Sequence, residues 1–553
     1  MRIVVDLQAC QSRASRTRGI GRYSMALLKA MLRNAGGDEI LVALNGGLTD
    51  SIEPVRAALQ GLLPDERIVA WKALPGFSAE YPEHDWRRAA VAETRQAFLE
   101  SLRPDVVHVS SWFEGFIDDT LTAPAASAPG YLTAATLYDL IPLLHTKLYL
   151  DHPRMREWYL GKVEELKRVD LLLGISAHTC REAREHLGVP DGRVSDISAA
   201  IDPMFRPMTM TPDETAQLLA RHGLSSGFLM YTGGIDHRKN IEGLIEAYAR
   251  LPASVRGRHQ LAITCSASSE SIERLQRLGA QAGLEPGQLA LTGYVSDEDL
   301  VALYNSCKAF VFPSWHEGFG LPVLEAMACG APVIGANTSS IPEVIDREEA
   351  LFDPRDARAM AAKIEQVLTD SAFGERMREH GLRQAAKFSW DRSAQRTLAA
   401  MRQAVARRSA GTAAGPGLAQ ARKKPLLAYI SPLPPQRSGV ADYGAELLPA
   451  LSEHYRIEAI SDQETISDPW LRQHVPLRTS AYFEESGVTG PTAGITPLPG
   501  AAPGRPFEGT GVGLCPGLLI VMTGPAPVCV PPLGVAPVMT ANSSGETISS
   551  STR

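Results

Sequence analysis

The sequence predicts an α/β protein built from two doubly wound lobes that face a cleft, followed by part of a third lobe of the same kind. Three observations carry this. Through the first 400 residues, short apolar runs rich in β-branched side chains alternate with stretches of helical period, the pattern of βαβ units and parallel sheets. A polar joint at residues 202–211 divides those runs into two groups. The start of the chain then recurs: GIGRYSMALLKAM at 19–31 aligns without gaps with GVADYGAELLPAL at 439–451, an offset of 420 residues. Each copy follows an apolar strand by a loop of similar length. An offset of that size is duplication of a domain, not the period of a solenoid.

In order, strands are expected at 3–7, 40–43, 106–110, 132–137 and 171–175 in the first group, and at 228–231, 261–264, 289–291, 309–312 and 332–335 in the second. Helical spacing fills the gaps, for example at 23–32, 155–168, 241–251 and 299–307. These elements give an N-terminal lobe at 1–205 and a second lobe at 206–404. The stretch 405–424 is small, basic and without an apolar face, and reads as a linker. Its charge also suits an anionic membrane surface. A truncated third lobe is expected at 425–485. Beyond it, 486–553 holds no lysine and no aspartate and is packed with proline and glycine, so it is expected to be disordered. The apolar run 511–539 is interrupted too often by those residues to give the roughly 20-residue helix of a membrane span.

Composition narrows the function classes. The 553 residues are 44% hydrophobic and 21% charged with a net charge of −7, which argues against a nucleic-acid partner. The seven cysteines contain no CxxC pair and no metal-ligand spacing, as expected in a reducing compartment such as the cytoplasm. The first residues, MRIVVDLQAC, read as a strand and not as a signal peptide.

Two strings carry chemistry. In FVFPSWHEGFGLPVLEAMACGAPVI, residues 310–334, a strand ends at Pro313, a glycine loop follows, Pro322 suits the first position of a helix and Gly330 its stop. The backbone N–H groups of Gly318, Phe319, Gly320 and Leu321 would project from that helix N-terminus, where a diphosphate can be held. Glu317 in the loop and Glu325 in the first turn of the helix can accept hydroxyl hydrogen bonds from the two sugars of a nucleotide-sugar. The plain alternative, acids favoured near a helix start by its dipole, suits Glu325 taken alone. In FLMYTGGIDHRKNIEGLIEAY, residues 228–248, a strand leads into Gly233 and Gly234, then Arg238 and Lys239, then a helix from about Asn240. A guanidinium fork beside an ammonium suits a diphosphate leaving group. A solvated pair at a loop tip is the alternative.

In the first lobe, Gly19 and Gly21 lie between the first strand and the first helix. They fail as a dinucleotide fingerprint, because Ser24 stands where the third glycine belongs and the preceding loop is too long. They suit a flexible loop arching over a phosphate or sugar. His108, Trp112, Asp139 and His145 follow buried strands and can line a cleft. His108 equally suits a core position, and Asp139 a turn cap.

Residues 1–400 resemble the retaining glycosyltransferases of the GT-B fold, family 4, which use nucleotide-diphospho-sugars. The resemblance rests on the E-x7-E signature in HEGFGLPVLE (Glu317 and Glu325), with TGGIDHRKN, LTGYVSDEDLVALYNSCKAFVFPS, IPEV and FSWDRSA in support. It implies that Arg238 and Lys239 neutralise the donor diphosphate. It implies too that Glu317 and the amides after it hold the donor sugar, and that Glu325 holds the ribose. GIGRY resembles the family's glycine loop over the donor, and Asp139 in DLIP resembles the segment facing the reacting carbon. Many relatives have histidine where this chain has Tyr138. GIGRY and YDLIPLLH further resemble the mannosyl- and rhamnosyltransferases that build bacterial O-antigen, some of which carry two such modules. Here a second module begins near Lys424 and stops near Glu485, with no second HEGFGLPVLE. The tail matches no family and resembles read-through in a shifted frame.

The expected activity is therefore transfer of a hexose, mannose first, from a nucleotide-diphospho-sugar such as GDP-mannose to a growing glycan or lipid-linked glycan. The anomeric configuration would be retained, with no metal and no other cofactor. The setting would be the cytoplasm or the inner face of its membrane, with contact to an assembly complex there. Two alternatives stand beside it: a nucleotide-sugar epimerase of the same fold, and a non-catalytic scaffold in polysaccharide assembly.

Overall fold

Seven β-branched, mostly buried strands form the first sheet: β1 (Arg2–Asp6), β2 (Glu39–Asn45), β3 (Ile68–Trp71), β4 (Val106–Val109), β5 (Leu132–Leu137), β6 (Leu171–Gly174) and β7 (Val194–Asp196). All are parallel, in the order β3-β2-β1-β4-β5-β6-β7. The second sheet is made of β8 (Leu229–Thr232), β9 (Leu261–Thr264), β10 (Leu289–Leu291), β11 (Ala309–Phe312), β12 (Val333–Ala336) and β13 (Leu351–Phe352), parallel in the order β10-β9-β8-β11-β12-β13. This computed structural model describes residues 1–73, 75–122, 129–413, 426–436, 439–452, 455–461, 463–479, 518–523 and 526–530. The chain divides into two compact units, at 1–414 and 415–553.

Both sheets of the first unit reverse their strand order once, between β1 and β4 and between β8 and β11. At such a switch point the loops leaving neighbouring strands diverge and leave a crevice at the carboxyl ends. The two chemistry-bearing strings are the loops after β8 and β11, so the topology puts them side by side.

The helix Trp390–Ala413 returns from the second lobe and packs along the helix Gly19–Asn34 of the first. Trp390 meets Tyr23 edge to face at 4.9 Å, Arg33 pairs with Asp391 at 3.0 Å, and Arg402 reaches Asp38 at 2.6 Å. The sequence expected a linker from residue 405. Instead 405–413 continue this helix, because its alanines and arginines are good helix formers. The rest of the expected linker lies outside the described residues.

One further boundary differs from expectation. The first helix begins at Gly19, so Gly19 and Gly21 are in its first turn and not in a free loop. Asn240 adopts a left-handed conformation (φ 56°) and precedes the helix Ile241–Ala249. At the other end of the HEGFG string the helix runs Leu321–Ala328, and Gly330 (φ 83°) closes it. Ala331 N–H donates to Ala326 O at 2.9 Å and Gly330 N–H to Met327 O at 3.0 Å, a Schellman stop.

The second unit holds β14 (Leu426–Ile430), the helix Gly439–Ser452, β15 (Arg456–Ile460) and β16 (Leu477–Arg478). Its order β16-β15-β14 repeats β3-β2-β1, parallel throughout. Where β4 lies beside β1, however, β14 is flanked by an antiparallel ribbon, β17 (Leu518–Thr523) and β18 (Ala526–Val530). This ribbon lies within the stretch expected to be disordered. Its run LLIVMT is rich in residues that fit a strand. The remainder of 486–553 is outside the described residues. Among the described residues, no helix is long and apolar enough to cross a membrane.

Candidate functional site

The core of the site is an ion triad at the switch point of the second sheet. Glu317, in the loop after β11, is buried; its Oε1 accepts from Lys239 Nζ at 2.7 Å and its Oε2 lies 2.9 Å from Arg238 Nη1. Burial alone pushes the Glu317 carboxyl up, but the charges of Lys239 and Arg238 outweigh it and hold it below the usual range. The sequence assigned Arg238 and Lys239 to a diphosphate and Glu317 to a sugar, whereas the structure pairs the three with one another. A second acid stands near Arg238, with Asp236 Oδ1 at 3.8 Å from its Nε.

Backbone geometry locks the triad in place. Trp315 N–H donates to Arg238 O at 2.8 Å, and Arg238 Nη1 donates to His316 O at 2.8 Å. Asn240 Nδ2 donates to Pro313 O and Pro354 O, so the β8 loop is stitched to the β11 loop. Ser340 Oγ donates to Glu317 O and Phe319 O in alternation, and Glu317 N–H donates to Ser339 Oγ. Gly233 adopts φ 145°, and a Cβ there would stand 2.8 Å from the Tyr231 hydroxyl. Gly234 faces open space, and its carbonyl accepts from Tyr231 at 2.8 Å.

Gly318 is one point at which the lobes touch. A Cβ there would lie 2.1 Å from Tyr138 O and 3.3 Å from Asp139 Cβ. Thr179 Oγ1 donates to Gly318 O at 3.1 Å, and to Tyr138 O at 3.3 Å in alternation. Asp139 therefore stands at the end of β5 directly across the cleft from the triad, its Oδ1 accepting from Ile141 N–H at 3.0 Å. Burial pushes its carboxyl up. Phe319 turns its ring into the core against Phe388, so only its backbone is left for a ligand. Gly320 takes φ 100° at the cap of the helix, Leu321 is its first residue, and Pro322 its second.

Glu325 is in the second turn of that helix, not the first. Its Oε2 accepts from the Tyr304 hydroxyl at 3.0 Å, and burial pushes its carboxyl up to about 7. In the first lobe Gly21 is fixed by contact, since a Cβ would meet Ser15 O and Arg16 O at 2.6 Å, whereas Gly19 has open space. Tyr138 ties this helix to β5: its hydroxyl is 2.9 Å from Ser24 Oγ, and it donates to Ile20 O and Ser110 O in alternation. His108 and Trp112 do not reach the cleft. His108 is a core residue against Thr136 with its pKa pushed down to about 4 by burial, and the Trp112 indole donates to Lys162 O.

Of one further group the sequence offered only His145. His316 Nδ1 is 3.1 Å from His145 Nε2, and His316 Nε2 is 2.7 Å from Glu182 Oε1, which also lies 3.2 Å from His178 Nε2. For the others the only signal was His178-x3-Glu182, an i,i+4 pair that shares one helix face.

Two parallel doubly wound lobes, joined at a cleft with an Arg–Lys–Glu ion cluster at the second lobe's switch point, define the GT-B class. The chain belongs to the family-4 glycosyltransferases. The model for Glycosyltransferase Family 4 matches residues 17–205 and that for Glycosyl transferases group 1 matches residues 221–384. The O-antigen chain mannosyltransferase B of Escherichia coli is 35% identical over 385 residues, 69% of this chain and 94% of that protein. A serotype-specific mannosyltransferase WbdA of Escherichia coli is 39% identical over 396 residues, 71% of this chain and 47% of that one. The chain thus spans about half the length of the WbdA proteins it matches. In fold it is similar to a sucrose-phosphate synthase from Thermosynechococcus elongatus (TM-score 0.53, 19% identity, 73% of this chain and 99% of that one). It is also similar to a glycosyltransferase from Rickettsia africae ESF-5 (TM-score 0.52, 15% identity, 73% and 98%).

Proposed function

We propose that the chain transfers a mannosyl residue from a nucleotide-diphospho-sugar, GDP-mannose first, to a growing O-antigen-type polysaccharide, with retention at the anomeric carbon. The observation that carries this is the Arg238–Glu317–Lys239 triad at the switch point, in a chain whose relatives are named mannosyltransferases. A donor diphosphate would draw Arg238 and Lys239 away from Glu317, freeing that carboxylate for hydroxyls of the donor sugar. The bond from C1 to the diphosphate oxygen then breaks on the face where the acceptor oxygen attacks. The acceptor's proton passes to the departing diphosphate. Asp139, across the cleft, orients the acceptor or steadies the positive charge that develops on the sugar. Glu325 holds the ribose, and the Gly233, Gly234 and Gly318–Leu321 backbone lies along the donor. Because the leaving charge is met by Arg238, Lys239 and helix N–H groups, the transfer itself needs no metal. We place the work at the inner face of the cytoplasmic membrane, where the basic residues before 424 suit an anionic surface.

The experiment is transfer from a panel of nucleotide-sugars to a lipid-linked glycan, with anomeric analysis of the product and a chelator control. A mannosylated product of retained configuration, formed equally with chelator, is expected. Inverted product, or an epimerised donor with no acceptor present, would replace this reading.

A further inference from the structure

We propose that His178, Glu182 and His316 form a three-ligand site for a Zn²⁺-class divalent cation that ties the two lobes together across the cleft. His178 and Glu182 sit one turn apart on the helix Ala177–Leu187 of the first lobe. Ser176 caps that helix, accepting from Thr179 N–H at 2.9 Å, and Thr179 holds it against Gly318. His316 comes from the second lobe, on the loop after β11. The three ligand atoms lie within 4.8 Å of one another, with His316 Nε2 and His178 Nε2 at 2.7 and 3.2 Å from Glu182 Oε1. A tetrahedral ion with bonds of about 2.0–2.1 Å sets its ligand atoms roughly 3.3 Å apart, so small side-chain shifts seat it.

A second observation points the same way. Glu182 is 4% and His316 9% exposed; both imidazole Nε2 atoms face the single oxygen Glu182 Oε1 without an aligned hydrogen bond, and Glu182 Oε2 is buried with no hydrogen-bond partner. Buried polar atoms are normally satisfied, and two imidazole nitrogens facing one carboxylate whose other oxygen is unpartnered make a donor set for a cation. His316 is also held as metal-binding histidines are: its other ring nitrogen is spent on a partner, His145 Nε2 at 3.1 Å. Two imidazoles and one carboxylate suit Zn²⁺ or Co²⁺, whereas Mg²⁺ favours an all-oxygen shell. Three protein ligands leave one position for water.

This cation is not the counter-ion of a diphosphate, a role that Arg238 and Lys239 fill at the next residue along, Glu317. It is a tie. When bound, it fixes the loop carrying Glu317 to the lobe carrying Asp139.

The test is titration of the chelator-stripped full chain with Co²⁺, followed by its visible absorption, then by displacement with Zn²⁺ or Mg²⁺. One equivalent is expected, with the strong band of four-coordinate Co²⁺, removed by Zn²⁺ and not by Mg²⁺. His178→Ala and Glu182→Ala should each weaken Co²⁺ binding at least tenfold, and Zn²⁺ should raise the melting temperature of the parent chain but not of His178→Ala. Less than half an equivalent bound by the parent chain overturns the site, whatever the variants do. So does binding that both variants leave unchanged while they still melt cooperatively.

Discussion

Glu317 is the residue on which the donor site turns, because it pairs with two cations that a diphosphate would otherwise claim. A buried carboxylate stripped of its partners, or a buried lysine stripped of its carboxylate, costs several kcal/mol. Lys239→Ala and Glu317→Ala are each expected to lower kcat/KM by about 10²–10³-fold, the scale of losing one charged transition-state contact. Circular dichroism should show the fold retained, and full activity in either variant would remove the triad from the reaction. Glu325 makes a different prediction. Its carboxyl titrates at about 7 in the folded chain because it is buried, against about 4.3 when unfolded. The folded state then holds the proton that the unfolded state has lost, so this group's contribution is present below about pH 4 and lost as pH rises through 7. Glu325→Gln should therefore gain on the parent chain by on the order of 1–3 kcal/mol between pH 5 and 8, read as the difference in urea midpoints. A constant difference across that range would show that Glu325 ionises normally.

At the scale of elements, the contact of the β11 loop with the end of β5 depends on a glycine. With a Cβ only 2.1 Å from Tyr138 O, Gly318→Ala must push the two loops apart. We expect kcat/KM to fall at least tenfold as Asp139 and Glu317 separate, with a near-normal melting temperature, since neither core is touched. Equal activity would place the lobes' working contact elsewhere. In the first unit the sequence made the central strands legible and, of the four edge strands, only β10, whose three residues are all apolar. β3, β7 and β13 went unread, and each is a sheet edge of two to four residues with half its side chains turned to solvent. A short edge strand lacks the continuous apolar run that marks a buried parallel strand. The site divided in the same way. Arg238, Lys239, Glu317 and Glu325 were legible because each sits in an ordered string of glycines and helix signals. His178 and Glu182 were not, because their partner His316 lies more than 130 residues away. No local spacing announces a pair that only the closing of two lobes creates.

For the whole molecule, all of the candidate site lies within residues 1–414, a compact unit with its own core. A chain ending at residue 414 is expected to keep transfer in vitro within about twofold of the full chain. Loss of that activity would make the second unit part of the enzyme. If transfer survives and polymer assembly in cells fails, 424–553 serves a partner. The unit at 1–414 also has a mechanical property. The backbone passes between the lobes twice, once after β7 and once before Trp390. Tyr23 touches both passages: its hydroxyl donates to Ser198 O at 2.6 Å, and its ring meets Trp390. A body tethered at two points on one side cannot slide or twist freely against its neighbour. It keeps one easy freedom, rotation about the line joining the tethers. Opening to admit a donor must then be a swing like that of a door, with Tyr23 at the hinge post and Gly318 at the latch.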